Sequence, residues 1–199
     1  MGGQHMIFSF PPGASPLDPD EAKGLIPSHI TKKSELDLLE QANILDAYDW
    51  AFRKKHKNIL GEDFLFMLHK RMFQNVWKWA GNIRNSEKNI GVPVFQIRVD
   101  LKNLIENIKT WIEFNSYPPE EIAVRFHHRL VFIHPFPNGN GRHSRLATDI
   151  LLVQIFGLER FTWGSKNLGE VSELRTTYIK ALKKDDAGNY ATIIDSVKP

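Results

Sequence analysis

The chain of 199 residues has no cysteine. That removes disulfides, thiolate metal ligands and thiol nucleophiles from consideration and suits a reducing compartment. It also has no apolar run near the ~18–20 residues needed to span a bilayer, and no basic stretch leading into an apolar signal core. A cytoplasmic protein without a membrane partner is therefore expected. Nor does one sign of charge dominate: 26 Lys and Arg against 23 Asp and Glu leave +3, spread along the chain, so counterion-driven nucleic-acid binding is not indicated. Repeats and low-complexity segments are missing as well. What is present, 42% apolar and 25% charged residues, is the composition of one globular domain able to bury a sizeable core.

Residues 1–30 are rich in Pro and Gly without helical period and read as an irregular arm; the opening Gly2, Gly3, Gln4 and His5 are given no function. From Ser34 the pattern changes. Over 34–56, Leu36, Leu39, Ile44, Ala47, Ala51 and Phe52 recur at helical spacing, and Ser34 with Asp37 resembles a capping box. A second helix is expected over 62–77, with Phe64, Leu65, Leu68, Met72 and Val76 on one face, and Gly61, Glu62 and Asp63 at its start. Residues 85–98, broken by Gly91 and Pro93, suggest a small hairpin. Further helices are expected over 100–115, over 118–133 behind Pro118 and Pro119, over the nearly all-apolar 145–156, and over 169–186 and 189–197. The fold class is all-α: a helical bundle around a central buried helix, 145–156, with one β-hairpin. The domain boundaries are an arm at 1–30 and one domain at 31–199.

Chemistry concentrates in HPFPNGNGRHSR, His134 to Arg145. Gly139, Asn140 and Gly141 ahead of a helix can form a nest of backbone amides for an anion, and phosphate is the natural guest. Arg142 and Arg145 share one helix face. Positive charge at a helix N-terminus is unfavourable without a compensating anion, so their position argues for a polyphosphate. His134, at the other end of the loop, could take a proton from an attacking hydroxyl. Asn138 carries an oxygen that could help hold a hard cation such as magnesium. Together these features suggest phosphoryl or nucleotidyl transfer. Phe136 reads as an apolar anchor and His143 as a helix-surface residue. A zinc site at His127, His128 and His134 is disfavoured by their spacing.

HPFPNGNGRHSR resembles the signature of the Fic family, HPFx(D/E)GNGRxxR, at every fixed position except Asn138. WAGNIR, 77–84 with its preceding Trp77 and Lys78, resembles the stretch that leads into the family's target-docking flap. Residues 11–31 and 35–44 are similar to a Fic subfamily called mobile mystery protein B, associated with mobile genetic elements. The resemblance implies the Fic fold and the transfer of AMP from ATP to a hydroxyl side chain of a target protein. It implies His134 as general base, the amides of Gly139, Asn140 and Gly141 as an anion hole, and Arg142 and Arg145 on the β and γ phosphates. It also implies a flap at 85–97 that takes the target as an added strand, and an adenine pocket for which Tyr178 and Asp186 are candidates.

Asn138 stands where the family pattern has Asp or Glu as magnesium ligand, so a full negative charge beside the cation is lost. Fic proteins commonly carry an inhibitory helix with the pattern (S/T)xxxE(G/N), whose Glu pairs with the second arginine. Helix 34–56 supplies Glu40 as first choice and Glu35 as second. Alternatives to AMP transfer are a catalytically weakened nucleotide-binding or interaction module, transfer of another phosphate-containing group, and phosphate transfer as in the related Doc kinases. Oligomerisation is left open.

Overall fold

A computed structural model describes residues 19–163 and Val197. The helices are α1 (Pro19–Ala22), α2 (Lys33–Arg53), α3 (Glu62–Phe73), α4 (Ile97–Glu113), α5 (Pro119–Ile133) and α6 (Asn140–Leu151). A short 3-10 turn, Val94–Gln96, leads into α4, and a π-helical turn, Leu152–Phe156, continues α6. The all-α class is confirmed. The expected helices over 169–186 and 189–197, and with them Tyr178 and Asp186, lie outside the described residues.

Helix α6 is the hub. It packs against α5, α3 and α2, and Leu146, Ala147, Thr148, Asp149, Ile150 and Leu151 are all buried. Helix α5 lies in turn against α4, and α2 against α3. Apolar stripes close these contacts: Leu65, Leu68 and Met72 from α3, Leu101, Leu104 and Ile108 from α4, and Ala123, Phe126 and Leu130 from α5. Full burial of each such side chain is worth about 1.5–3 kcal/mol, which makes this shared core the main support of the motif helix. Val76 is buried as expected, but beyond the end of α3.

Helix α2 corrects the periodicity reading. Its buried stripe is Leu36, Glu40, Asn43, Ala47 and Ala51, an unbroken i, i+4, i+7, i+11, i+15 row. Leu39 is exposed instead, and so are Leu38 and Leu45. Two polar residues thus occupy the inward face while three leucines point outward. Asn43 earns its place by bonding the Asn75 amide (3.0 Å) and the Arg71 carbonyl (3.1 Å). The capping box does not form, because the helix begins at Lys33, one residue before Ser34, and Asp37 pairs with Lys33. At the other end the Gln154 side chain donates to the Ala51 carbonyl (2.8 Å), satisfying a terminal acceptor.

Two further expectations change. The described part of the arm is not irregular throughout: after α1, Leu25 forms an antiparallel bridge with Trp77, through Ile26 N–H to the Val76 carbonyl and Lys78 N–H to the Gly24 carbonyl (both 2.9 Å). The hairpin at 85–97 is not seen. Residues 85–93 are loop, and 94–97 are already helical. Side chains hold this loop in place of a ladder. Arg84 donates to the carbonyls of Ser86 and Val92, Glu87 accepts from the Val94 amide (3.0 Å), and Glu21 of the arm receives Ser86 Oγ (2.9 Å) and Lys88 Nζ.

Candidate active site

His134 ends α5 as its C-cap in the left-handed conformation, φ 53° and ψ 58°. A non-glycine residue there is uncommon and asks for support. The support comes from both sides: its N–H reaches the Leu130 carbonyl (3.2 Å), and its own carbonyl accepts from Arg84 Nε (2.7 Å). The ring lies 3.4 Å through Nδ1 from the Val131 carbonyl, which favours the tautomer that leaves proton acceptance to Nε2. Burial, reinforced by the charges of Arg84 and Lys88, holds its pKa down at about 4. The imidazole is therefore neutral near pH 7, the form that can accept a proton.

The loop from Pro135 to Gly139 is fastened at three points. Phe136 is fully buried and stacks on His69 (3.7 Å between centroids, 12°), as an anchor should. Asn140 folds its side chain back, accepting from Phe136 N–H (2.9 Å) and donating to the Phe136 carbonyl (2.8 Å). Its side chain is thus a loop staple, and only its backbone amide points toward ligand chemistry. Gly139 has φ 77°, and a Cβ there would come within 2.5 Å of the Phe73 ring, so no other residue fits. The first intrahelical bond of α6 runs from His143 N–H to the Gly139 carbonyl (2.9 Å). The amides of Asn140, Gly141 and Arg142 precede it, and beside Gly141 there is open space within 4 Å.

Arg142 meets an anion from within the chain. Its Nη1 donates to Glu40 Oε2 (2.6 Å), its guanidinium lies over the Phe73 ring (4.9 Å), and Trp77 Nε1 donates to Glu40 Oε1 (2.6 Å). Glu40 is 5% exposed. The carboxylate that compensates the helix start is thus supplied by α2, on the first arginine of the pair and not on the second as the resemblance implied. Trp77 fixes that choice by holding the other carboxylate oxygen. Glu35 is half-buried on a different side of α2. Arg145 is half-buried one turn further, where its charge acts on His127 and Asp149.

Asn138 presents no ready cation site. Its Oδ1 accepts from the Gly139 amide (2.5 Å), and among the described residues no three His, Cys, Asp or Glu side chains cluster as metal ligands. One neutral amide oxygen already engaged does not fit a resident magnesium ion. His143 is another correction: it is fully buried, with Nε2 bonded to the Leu65 carbonyl (2.9 Å) and Nδ1 unpartnered, and faces the core beside Phe136 (4.9 Å).

Two buried residues were missed in the sequence. His69 accepts Gly81 N–H at Nδ1 (2.9 Å) and donates from Nε2 to the Asn138 carbonyl (3.0 Å), tying the motif loop to the WAGN turn. Arg84 does the same for His134. A histidine inside an otherwise apolar helix face, and an arginine closing WAGNIR, were the available signals.

Residues 59–152 match the model of the Fic/DOC family. This segment is a Fic/DOC domain. The chain is 35% identical over 91 residues to protein adenylyltransferase Fic of Drosophila grimshawi (44% of this chain, 19% of that one). It is 31% identical over 106 residues to protein adenylyltransferase fic-1 of Caenorhabditis elegans (51% and 20%). The chain thus spans about a fifth of the length of these curated relatives. Among solved structures, the BepC protein of Bartonella tribocorum with bound AMPPNP superposes with TM-score 0.67 at 19% identity, covering 88% of this chain and 94% of that one. A fragment of Fic-1 from C. elegans gives 0.62 at 22%, covering 88% and 51%. At these identities the likeness is one of fold. Inside the Fic/DOC domain lie His69, Arg84, His134, Arg142 and Arg145; Glu40 and Glu21 precede it.

Burial drives several titrations. The pKa of His127 is lowered to about 3 and that of His143 to about 4, His69 lies well below 6.5, and Asp149, which accepts from Trp163 Nε1 (3.0 Å), is raised to about 7. Histidines depressed in the fold bind protons chiefly when unfolded, so stability is lost as pH falls from 6.5 towards about 4. Asp149 opposes this, because it binds its proton in the folded state between pH 3.8 and about 7. The histidines outnumber it. The thermal midpoint, followed by circular dichroism, should fall from pH 6.5 to 4, and more steeply in Asp149→Asn; a midpoint that rises on acidification over that range contradicts the assignment. Separately, His69→Leu strands the Gly81 N–H and the Asn138 carbonyl, and chemical denaturation should show a loss of about 2–6 kcal/mol, at about 1–3 for each abandoned group.

Proposed function

We propose that this chain is a protein adenylyltransferase that moves AMP from ATP to a hydroxyl side chain of a target protein, held in check by Glu40. The observation that carries the reading is the start of α6: leading amides beside open space, followed by an arginine whose anionic partner among the described residues is a carboxylate from another helix. Curated relatives of the domain are named protein adenylyltransferases, and a Fic neighbour has been solved with AMPPNP.

In this reading the phosphates of ATP lie on the amides of Asn140 and Gly141, joined by that of Gly139 once it leaves Asn138 Oδ1, and Arg142 and Arg145 neutralise the outer groups. The target hydroxyl gives its proton to neutral His134 as its oxygen attacks the α-phosphorus, and pyrophosphate leaves. Magnesium would arrive as the counter-ion of ATP, and no step is assigned to it. The target segment would run along loop 85–93, which crosses His134 at Gly91. The narrower placement with mobile mystery protein B, and with mobile elements, rests on residues 11–31 and 35–44 alone; the cytoplasmic setting rests on composition. No helix among the described residues is long and apolar enough to cross a membrane.

Because Glu40 takes a hydrogen bond from Arg142 that a phosphate would need, ATP must displace it. A charge-assisted bond is worth about 1.5–3 kcal/mol, so Glu40→Gly should raise automodification roughly tenfold or more. Incubation with ATP labelled at the α or γ position identifies the reaction: α-label on protein supports AMP transfer, γ-label a kinase, and no label a binding module. If Glu35→Gly activates and Glu40→Gly does not, the inhibitory assignment is wrong.

Asn138→Asp would add a charged oxygen beside the phosphates. Transfer by this variant at limiting magnesium should increase. An unchanged magnesium titration would separate residue 138 from the ion.

A further inference from the structure

Loop 85–93 and the left-handed cap at His134 meet on a single side chain. Arg84 is 1% exposed, and its guanidinium reaches three carbonyls: His134 through Nε (2.7 Å), Ser86 through Nη1 (2.9 Å) and Val92 through Nη2. The nearest carboxylate oxygen, on largely exposed Glu87, is 3.5 Å from Nη1. Burying a guanidinium among carbonyls is costly, and it is tolerated where a planar fork must fix several acceptors at once. An aliphatic side chain of similar volume would fill the space and leave the three acceptors adrift. The backbone repeats the fastening, as Arg84 N–H donates to the Pro135 carbonyl (2.9 Å). Against both partners of this contact, Gly91 has φ 108°, and a Cβ there would stand 2.7 Å from His134 Cβ and 3.0 Å from Arg84 Nη2.

We infer that Arg84 is a positioning residue for the transfer reaction, holding His134 and the loop that would carry the target hydroxyl in one fixed relation. This rests on the proposed role of His134. It is separable from ATP binding, because the hydrogen bonds of Arg84 go to His134, Pro135, Ser86 and Val92 and not to residues 138–142, which form the anion cradle. Its loss should therefore appear in the rate of transfer and not in nucleotide affinity. A displacement of about 1 Å can cost roughly a hundredfold in rate.

The test uses the full chain carrying Glu40→Gly, with and without Arg84→Lys, which keeps the charge but cannot span three carbonyls. Transfer of α-label should fall roughly ten- to hundredfold in kcat, with KM for ATP and calorimetric Kd for ATP within about twofold. The ring of His134, followed by nitrogen-15 NMR, should titrate at higher pH than in the parent as its packing loosens. If Arg84→Lys does not fold, Gly91→Ala, whose Cβ would press on both His134 and Arg84, perturbs the same contact and should give the same split. A rate loss matched by an equal rise in KM and Kd, or an unchanged rate with an unmoved His134 titration, overturns the inference. Should no variant transfer any label, the proposed function fails and the His134 titration alone decides: a shift upholds Arg84 as its support, and an unmoved midpoint rejects it.

Discussion

The contact between Glu40 and Arg142 is the constraint around which the site is arranged. A helix start with its first amides unpaired and an arginine in its first turn concentrates positive potential, and that potential must be balanced. Glu40 balances it from α2, 102 residues away in the chain. Once the carboxylate is committed to Arg142, it has to lie on the inward face of its helix, and the other requirements follow. Trp77 must bring its indole N–H to the second oxygen. The arm must pair with Trp77 at Leu25 to keep that segment in place. Phe73 must press the end of its ring against Gly139 and take the Arg142 guanidinium over its face.

This arrangement explains which parts of the molecule were legible in sequence. The motif loop was readable because its chemistry is local: glycines, an Asn and two arginines within a few residues state a need for an anion wherever they are placed. Helices α3 to α6 were readable because their inward faces are apolar, with boundaries off by a few residues where the chain runs on without a breaker, as from Phe73 to Val76. Helix α2 misled periodicity because two of its five buried positions are polar. Their partners, Arg142, Trp77, Asn75 and Arg71, come from other segments, and no local pattern reveals such pairing. Its exposed leucines supplied a false apolar face. The supposed hairpin failed for a related reason. Short β-branched stretches around Gly91 look like strands, yet Arg84, Glu87 and Glu21 satisfy the loop through side chains, and the ladder is not needed.

Buried histidines show the same dependence on distant partners. His69 holds a single tautomer because one nitrogen meets an N–H and the other a carbonyl, both from other segments. Protonating it would set a second N–H against that of Gly81, so its low pKa is a statement about geometry as much as about burial. His143 lies beside it against Phe136, and the two rings together form the floor on which the motif loop rests. A histidine between two arginines reads as surface in sequence, but helical spacing turns 143 inward while 142 and 145 flank it.

The site therefore divides into two mechanically distinct halves. The anion cradle is supported from α3 and α2, through His69, Phe73 and Glu40. The base is supported from Arg84 and the loop that follows it. In the proposed reaction ATP engages the first half and must displace Glu40 to do so, whereas the target engages the second. Loss of the arginine contact leaves Glu40 with the Trp77 bond still available, so release need not unfold α2; a change in one side-chain rotamer suffices. A switch of that size costs little on the protein's side, and its set point is then governed by how well phosphate oxygens compete with one carboxylate for Arg142. Replacing an acidic residue by Asn138 tilts the same competition, because the cradle meets the polyphosphate without a fixed negative charge at its edge. The neutral residue thus weakens the hold on a cation and at the same time removes repulsion against the phosphates, which makes the balance between metal and bare anion the property on which this site departs most from the family pattern.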